Sequence, residues 1–304
     1  MSDKKNSSIG NMFTSVTNTV GKTVNGLTGK AGELMNDGAK RLTNLIDANG
    51  DGTIEIDDFI ILGLRIPGVG VNREAFLRAE LKRDFPKEVI EQAILTTPAQ
   101  AGITVDEADK LADAVIAYER NCVTGISAAL GMPGGFAMAA TIPTDIAQYY
   151  GFMLRAAQKL MYLYGFPQID VSEKEQTFDS ETMNVLTLCL GVMYGVAGAN
   201  SALKAMANAL AKGVEKKLLN AVLTKGTLYP IVKNVAKWFG KKMTKQVFAG
   251  FFKKAIPVVG GVLGGSITYL SFKPCCDKLK ESLKDTMLSN PNGYKAEKDD
   301  IIIE

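Results

Sequence analysis

Residues 47–58 read Asp47-Ala48-Asn49-Gly50-Asp51-Gly52-Thr53-Ile54-Glu55-Ile56-Asp57-Asp58 and combine oxygen-bearing side chains with glycines. Oxygen donors stand at alternate positions of the first half, and the sixth position holds a glycine, where a sharp turn needs a positive φ. Apolar residues at helical spacing precede this stretch and others follow it. The stretch therefore predicts two helices joined by a loop that can surround a hard cation.

The pattern is that of a Ca²⁺-binding EF-hand loop in every position but the last, where a Glu normally binds through both oxygens. Asp58 is one methylene shorter, which favours six ligands over seven and weakens Ca²⁺ relative to Mg²⁺, so we expect a Kd of about 10⁻⁵ to 10⁻³ M. The alternative is an ordinary turn rich in Asp, Asn and Gly. The predicted metal ligands are Asp47, Asn49, Asp51, Thr53 through its carbonyl, Glu55 and Asp58.

Composition limits the classes of function that the chain can have. Hydrophobic residues make up 46 % of the 304 residues and the formal net charge is +3, which by itself indicates no nucleic-acid partner. The chain contains no histidine, so every His-based catalytic or metal site is excluded. The spacing of Cys122, Cys189, Cys275 and Cys276 fits neither a zinc site nor a disulfide framework, and the first two are interpreted as buried thiols. The polar start lacks the core of a signal peptide, so we expect a cytoplasmic protein.

Helical periodicity dominates the chain, and no alternating strand pattern of useful length occurs, so the fold class is expected to be all-α, a multi-helix bundle. Helices are predicted over 57–67, over 72–83 with Asn72 as cap, from Pro86 onward, and from a cap at Thr104 or Asp106 to about Arg120. The predicted organisation is a flexible amphipathic N-terminal arm at 1–30, the EF-hand at 31–67, a helical domain at 68–285 and a polar C-terminal tail at 286–304.

Three long runs carry no charge: Asn121–Thr144, Thr182–Leu203 and Ala255–Phe272. Their lengths alone would allow membrane spans. Glycine and proline interrupt the first run, and the second contains Asn184 and Asn200, so both suit a tightly packed soluble bundle equally well. The third run is the best candidate for insertion into a membrane.

A lysine-rich segment precedes the third run. Lys212 to Lys254 contains eleven Lys, one Glu and neither Asp nor Arg. Lysines at 233, 237, 241 and 245 line one helical face, with apolar and aromatic residues around the other side. A basic amphipathic helix is typical of proteins that bind an anionic membrane surface, which would place the protein peripherally on the inner face of the cell membrane. The alternatives are a solvated face of a core helix and, with less support, a nucleic-acid contact.

Seven short motifs rich in Gly, Pro and charged residues punctuate the chain after the loop. They are Leu64–Val69, Asn72–Leu77, Leu130–Gly135, Ile142–Asp145, Leu154-Arg155, Leu163–Phe166 and Ile256–Gly261. Together they resemble the EcsC family, a bacterial family with a member encoded beside an ABC transporter. The resemblance spans residues 60–285 approximately and implies no particular reaction, and the EF-hand is an addition outside it. Plant senescence-associated domains, which bind lipid droplets or membranes, are distantly similar.

Asp145 is a lone carboxylate among apolar residues, directly after Pro143-Thr144. We interpret it as a residue in the first turn of a helix, where a carboxylate meets free N–H groups, and the alternative is a functional acid in a pocket. Arg155 is expected to pair with a buried acid. Three hypotheses of function follow: a non-enzymatic Ca²⁺-binding protein at membranes, a hydrolase using carboxylate and Lys chemistry around Asp145, and a soluble helical scaffold with a structural ion.

Overall fold

A computed structural model describes residues 47, 50, 56–131, 136–169, 180–214, 221–223, 225–242 and 262–294. The backbone alone is described for 128–131, 136–147, 180, 240–242 and 262–267. The chain divides into two compact units, Met1–Leu45 and Ile46–Glu304, and all described residues belong to the second unit. The predicted N-terminal arm and the helix that enters the EF-hand lie outside the described residues.

The described residues are helical and contain no strand, which confirms the all-α fold class. None of their helices is both long and apolar enough to cross a bilayer. In chain order the helices are α1 (Ile56–Leu64), α2 (Arg73–Leu81), α3 (Lys87–Leu95), α4 (Val105–Gly131), α5 (Phe136–Leu163), α6 (Ser180–Met193), α7 (Ala199–Ala211), α8 (Tyr229–Lys242) and α9 (Val262–Lys284).

The three longest helices, α4, α5 and α9, form the centre of the bundle. α9 runs antiparallel to α4, because Thr268 lies 3.2 Å from Ser127 while Lys280 lies 2.8 Å from Asp113. α5 is also antiparallel to α4, and it runs parallel to α9, with the Tyr149 hydroxyl 3.1 Å from that of Ser271. The C-terminal part of α4 therefore meets the N-terminal parts of α5 and α9 at one end of the bundle.

The short helix α1 packs on α5 at backbone distance. A methyl group added to Gly63 would lie 2.9 Å from the Leu154 side chain and 3.0 Å from the backbone nitrogen of Gly151. A larger residue at 63 would force the Leu154 side chain and the backbone of α5 to shift, so glycine at this position lets the two helices approach closely. Phe59 reinforces the contact, since its ring centroid lies 4.9 Å from that of Tyr150. The helix that leaves the predicted metal loop is thus fixed to the centre of the bundle.

Capping residues define the starts of α2 and α4 as the sequence predicts. The Asn72 side chain accepts a hydrogen bond from the backbone N–H of Ala75 at 2.8 Å, which confirms the predicted cap of α2. At α4 the cap is Thr104 and not Asp106. The Glu107 carboxylate accepts the Thr104 N–H at 2.9 Å, while the Glu107 N–H donates back to the Thr104 hydroxyl at 3.3 Å. This reciprocal pair is a capping box, which satisfies backbone donors that would otherwise lack partners.

Arg73, at the start of α2, joins the C-terminal end of α3 to the segment that follows α5. Its guanidinium donates to the carbonyls of Phe166 (3.1 Å), Ile94 (2.7 Å), Ala93 (3.0 Å) and Thr96 (2.9 Å). Burial lowers the pKa of Arg73 from its ordinary value. Three of these carbonyls belong to the last turn of α3 or follow it directly, where cations are favoured by the helix dipole. One side chain therefore joins α2, α3 and the end of α5.

Three predictions about element boundaries need correction. α4 continues past Arg120 to Gly131 because its uncharged last turns pack against α9. The interpretation of Asp145 as a residue in the first turn of a helix is wrong, since α5 begins at Phe136 and runs through Pro143. The packed part of the domain also extends beyond residue 285. Thr286 has no exposed surface and Leu288 has 7 %, while the Tyr294 hydroxyl accepts from Asn208 at 2.7 Å.

Candidate functional site

The predicted metal loop is described at its first, fourth and last three positions, which are Asp47, Gly50 and 56–58. Gly50 has a φ of +76°, a left-handed conformation that glycine adopts without strain. Its N–H donates to the Asp47 carboxylate at 2.8 Å, so the chain turns back over the first predicted ligand. The Asp47 carboxylate is therefore held in place by the backbone of its own loop.

Asp58, the last predicted ligand, lies in the first turn of α1 and has no exposed surface. Its neighbours in the chain, Ile56 and Phe59, have 0 % and 1 % exposure, so the first turn of α1 is buried at all three residues. Burying a carboxylate is costly unless positive charge or hydrogen-bond donors surround it. The N-terminus of α1 supplies part of that environment, because its free N–H groups and helix dipole favour negative charge.

The other predicted ligands, Asn49, Asp51, Thr53 and Glu55, lie outside the described residues. Within the part of the chain that the structure describes, no group of three or more Cys, Asp or Glu side chains could hold a metal ion. The donor set as a whole consists of carboxylate, amide and carbonyl oxygens, which are the ligands of Ca²⁺ and Mg²⁺ and are poorly suited to softer metals. The chemistry of the donors fits a hard dication.

A chain of aromatic rings connects α1 to the lysine-bearing helix α8. Phe59 contacts Tyr150, Tyr150 stacks on Tyr194 with centroids 6.5 Å apart, and Tyr194 contacts Trp238 at 6.2 Å. Burial raises the pKa of Tyr150 and that of Tyr194 above the ordinary value, so both phenols stay protonated. The residue that follows Asp58 is thereby in physical contact, through three rings, with the middle of the lysine-rich segment.

In α8 the lysines and the apolar residues lie on different sides. Lys233 and Lys237 are exposed, whereas Val235 and Phe239 have 0 % and 1 % exposure. The Lys233 ammonium lies 5.0 Å from the Tyr229 ring centroid, where the ring face attracts the cation. The apolar side of α8 therefore packs inside the protein, and any contact of this helix with a partner would use its lysines. The predicted face continues to Lys241 and Lys245, whose side chains lie outside the described ones.

Arg155 pairs with a buried acid, as expected, and that acid is Glu119 of α4. Glu119 has no exposed surface, and the same oxygen, Oε1, binds Arg155 Nε at 3.1 Å and the ammonium of Lys159. The second oxygen, Oε2, has no hydrogen-bond partner. Sequence reasoning missed Glu119 because it stands beside Arg120 in a charged stretch that reads as solvated. The available signal was the pair of cations one helical turn apart on α5, both facing α4.

A cleft between α5, α6 and α7 lies away from all these groups. Apolar side chains dominate its lining, with Gln168, Glu181 and Thr182 as its polar members. The pocket that sequence reasoning placed around Asp145 falls on side chains outside the described ones. Cys189 is buried as expected, and burial raises its pKa to about 12, but Cys122 is only partly buried.

No family model, no curated protein and no solved structure matches the chain. The resemblance to the EcsC family therefore stays a prediction, and the proposals below are argued from the residues of this chain.

Proposed function

We propose that the chain is a non-enzymatic protein that binds Ca²⁺ through the loop at 47–58. The observation that supports this proposal best is the position of Asp58, the last residue of the loop, which is fully buried in the first turn of α1. The twelfth residue of such a loop is the one whose carboxylate closes the site around the cation. Asp47 and the turn at Gly50 bring the start of the loop into a compact conformation.

Each predicted ligand has a simple role in this proposal. Asp47, Asn49 and Asp51 would supply side-chain oxygens from the first half of the loop, and Thr53 a carbonyl oxygen. Glu55 would bind directly or through water, and Asp58 would close the site from α1. When bound, the cation would join the loop to α1, which the Gly63 and Phe59 contacts hold against α5. The resemblance to the EcsC family, if correct, would place this ion-binding addition in front of an EcsC-like helical domain.

Calorimetric titration of the chelator-treated full chain with Ca²⁺ and then with Mg²⁺ tests the proposal. We expect a Kd for Ca²⁺ of about 10⁻⁵ to 10⁻³ M and binding of Mg²⁺ in a similar range. Asp58→Asn should weaken Ca²⁺ binding by about tenfold or more, because it removes the charge of the closing ligand. Asp57→Asn is the matched control, since it removes the same charge from the same helical turn without removing a predicted ligand.

Absence of binding of either ion at millimolar concentration would contradict the proposal. Equal weakening by Asp57→Asn and Asp58→Asn would contradict the assignment of Asp58 as the closing ligand. Circular dichroism of both variants without ion shows whether their helices are intact, so that a folding defect is not mistaken for the loss of a ligand.

A second function, peripheral association with anionic membranes, is favoured by the exposed positions of Lys233 and Lys237 on α8. Each lysine near an anionic surface contributes about 1 kcal/mol, which corresponds to about fivefold in binding per residue. Flotation of the full chain with phosphatidylcholine vesicles, with and without phosphatidylglycerol, measures this association. We expect binding only to the anionic vesicles, weakened in the Lys233→Gln/Lys237→Gln variant and unchanged in Lys110→Gln, which removes an exposed lysine of α4. Failure of the wild-type chain to float with anionic vesicles would contradict it.

A further inference from the structure

The two ends of the bundle formed by α4, α5 and α9 differ in charge. From Asn121 to Leu154 the sequence carries one charged residue, Asp145, and from Ala255 to Phe272 it carries none. The antiparallel packing of α4 against α5 and α9 brings the described parts of these segments together, as the contacts of Ser127 with Thr268 and of Tyr149 with Ser271 show. We name this end, formed by 121–131, 136–148 and 262–272, the uncharged end.

The described uncharged turns are long enough to enter one leaflet of a bilayer. Asn121 to Gly131 of α4 and Val262 to Phe272 of α9 are eleven residues each, which gives a length of about 16 Å at about 1.5 Å per residue. One leaflet of a hydrocarbon core of about 30 Å is about 15 Å thick.

The exposed side chains at the base of this end are those typical of a membrane interface. Leu270 is 71 % exposed and Tyr269 is 41 % exposed, and the Arg120 guanidinium lies 3.9 Å from the Tyr269 ring centroid. Lys273, also exposed, follows within one turn of α9. Aromatic rings and long cations occupy the boundary between hydrocarbon and headgroups, where the ring and the aliphatic stem are apolar and the polar tip is hydrated.

The lysine-bearing helix α8 points toward the same end. α6 is antiparallel to α5, because Cys189 contacts Met161 while Tyr194, which follows α6, stacks on Tyr150. α8 runs in the direction of α6, with Val235 against Gly191 and Trp238 against Tyr194. The C-terminal end of α8, at Lys242, is therefore directed toward the uncharged end, where anionic headgroups would meet it.

We propose that the uncharged end inserts into one leaflet of an anionic membrane, with Tyr269 and Leu270 where the bundle enters the hydrocarbon and Arg120 and Lys273 at the headgroups. The proposal rests on the membrane association proposed above and specifies how the protein is anchored. The other end of the bundle, which holds Asp109, Asp113 and Lys280 and which we name the charged end, cannot take this place, because these groups would have to leave water.

Vesicle binding of two matched variants tests the proposal. Leu270→Asp places a charge at the uncharged end, and Leu95→Asp places one at Leu95, which is 80 % exposed at the end of α3 beside the charged end. Both positions are exposed, so both variants should fold, which circular dichroism verifies. We expect Leu270→Asp to weaken binding to vesicles of phosphatidylcholine and phosphatidylglycerol by about tenfold or more, and Leu95→Asp to bind as the wild type does.

Quenching by lipids brominated on their acyl chains measures the depth directly. Leu270→Trp should add a fluorescence emission that these lipids quench, whereas the emission added by Leu95→Trp should not be quenched, after the wild-type signal of Trp238 is subtracted.

Three outcomes would overturn the insertion. In the first, the wild type binds the vesicles, salt releases it fully and Leu270→Asp binds as tightly as the wild type, which would show that the association is electrostatic. If the wild type does not bind the vesicles at all, the proposed membrane association is contradicted, and the insertion with it. If Leu270→Asp instead dissociates a dimer in size-exclusion chromatography without vesicles, the end is an interface between copies and insertion is overturned.

Discussion

The charged end and the uncharged end of the three-helix centre are stabilised by different interactions. At the charged end, α4 and α9 are joined by ion pairs between partly exposed side chains, such as Lys280 with Asp113, whose side chain is 54 % exposed. At the uncharged end the same two helices meet through a buried hydroxyl contact between Thr268 and Ser127. Exposed pairs contribute about 0–1 kcal/mol each and are screened by salt, whereas burial contributes in proportion to the apolar area removed from water.

The difference indicates that the ion pairs of this bundle fix the relative orientation of its helices more than they contribute to the free energy of unfolding. Many of the cross-helix pairs at the charged end lie where water and salt reach them, and removing one leaves the packing beneath intact. Glu119, at the boundary between the two ends, is the exception, because its charge has no contact with water.

The largest effect is therefore expected at Glu119. Glu119→Ala should lower the free energy of unfolding by about 3 kcal/mol, because Arg155 and Lys159, which are 24 % and 14 % exposed, lose a shared buried partner. Chemical denaturation measures the change. Glu281→Ala is the control at the charged end, where the side chain is 55 % exposed and pairs with Lys284, and we expect a change within about 0.5 kcal/mol. Equal losses in the two variants would remove the distinction between the boundary and the charged end.

The next effect is expected at Arg73, on the side of the charged end. Arg73→Lys should lower the free energy of unfolding by about 2 kcal/mol, because an ammonium group has three donors and cannot reach four carbonyls that lie around a planar guanidinium. Thermal unfolding followed by circular dichroism measures it. Arg83→Lys, at a side chain that is 77 % exposed, should change little. An unchanged free energy of unfolding in Arg73→Lys would show that water solvates these carbonyls readily when the guanidinium is absent.

The smallest effect is expected at the start of α4, in the capping box of the charged end. Thr104→Ala should cost about 1 kcal/mol of stability at neutral pH. Hydrogen bonds from the Thr104 N–H and hydroxyl lower the pKa of Glu107 from its ordinary value of 4.5. A carboxylate with a lowered pKa in the folded state stabilises the fold above its unfolded pKa, and this contribution is lost as the pH falls through the folded pKa. Of the two bonds to the Glu107 carboxylate, Thr104→Ala keeps that of the backbone N–H and removes only that of the hydroxyl, so the difference between wild type and variant should narrow below pH 4.5 by the share of the hydroxyl. A difference in stability independent of pH would show that the hydroxyl bond to Glu107 does not contribute to the cap.

Local features of this fold could be predicted from the sequence. The helical periodicity gave the all-α class, and the Asn72 and Thr104 caps marked the starts of two helices because capping depends on residues three positions apart. The last turns of α4 were missed because their stability comes from packing against α9, more than a hundred residues away. The position of Asp145 was also wrongly predicted from local rules. These rules end a helix at a proline, whereas α5 continues through Pro143.

The candidate sites also differ in how far they could be predicted from local sequence. Oxygen donors at fixed positions of one loop are visible in the sequence, so the metal hypothesis needed no structure. The burial of Glu119 could not be predicted, because it depends on α5 covering this side chain. The spacing of Arg155 and Lys159 was the one sequence signal of a shared acidic partner. The uncharged end needed both sources: the sequence shows the uncharged runs, and the antiparallel packing shows that they meet.

Because of the aromatic chain from Phe59 to Trp238, the intrinsic fluorescence of Trp238 should respond to changes at the metal loop. Trp238 is the single tryptophan of the chain, so light absorbed at its red edge reports on one environment. That indole touches Tyr194, which stacks on Tyr150, which in turn contacts the ring next to Asp58. A dication at the loop would reach this reporter through a series of ring contacts, whereas a lipid surface at α8 would meet the helix that carries it. The emission spectrum of Trp238, recorded without any added dye, should therefore respond differently to the two events.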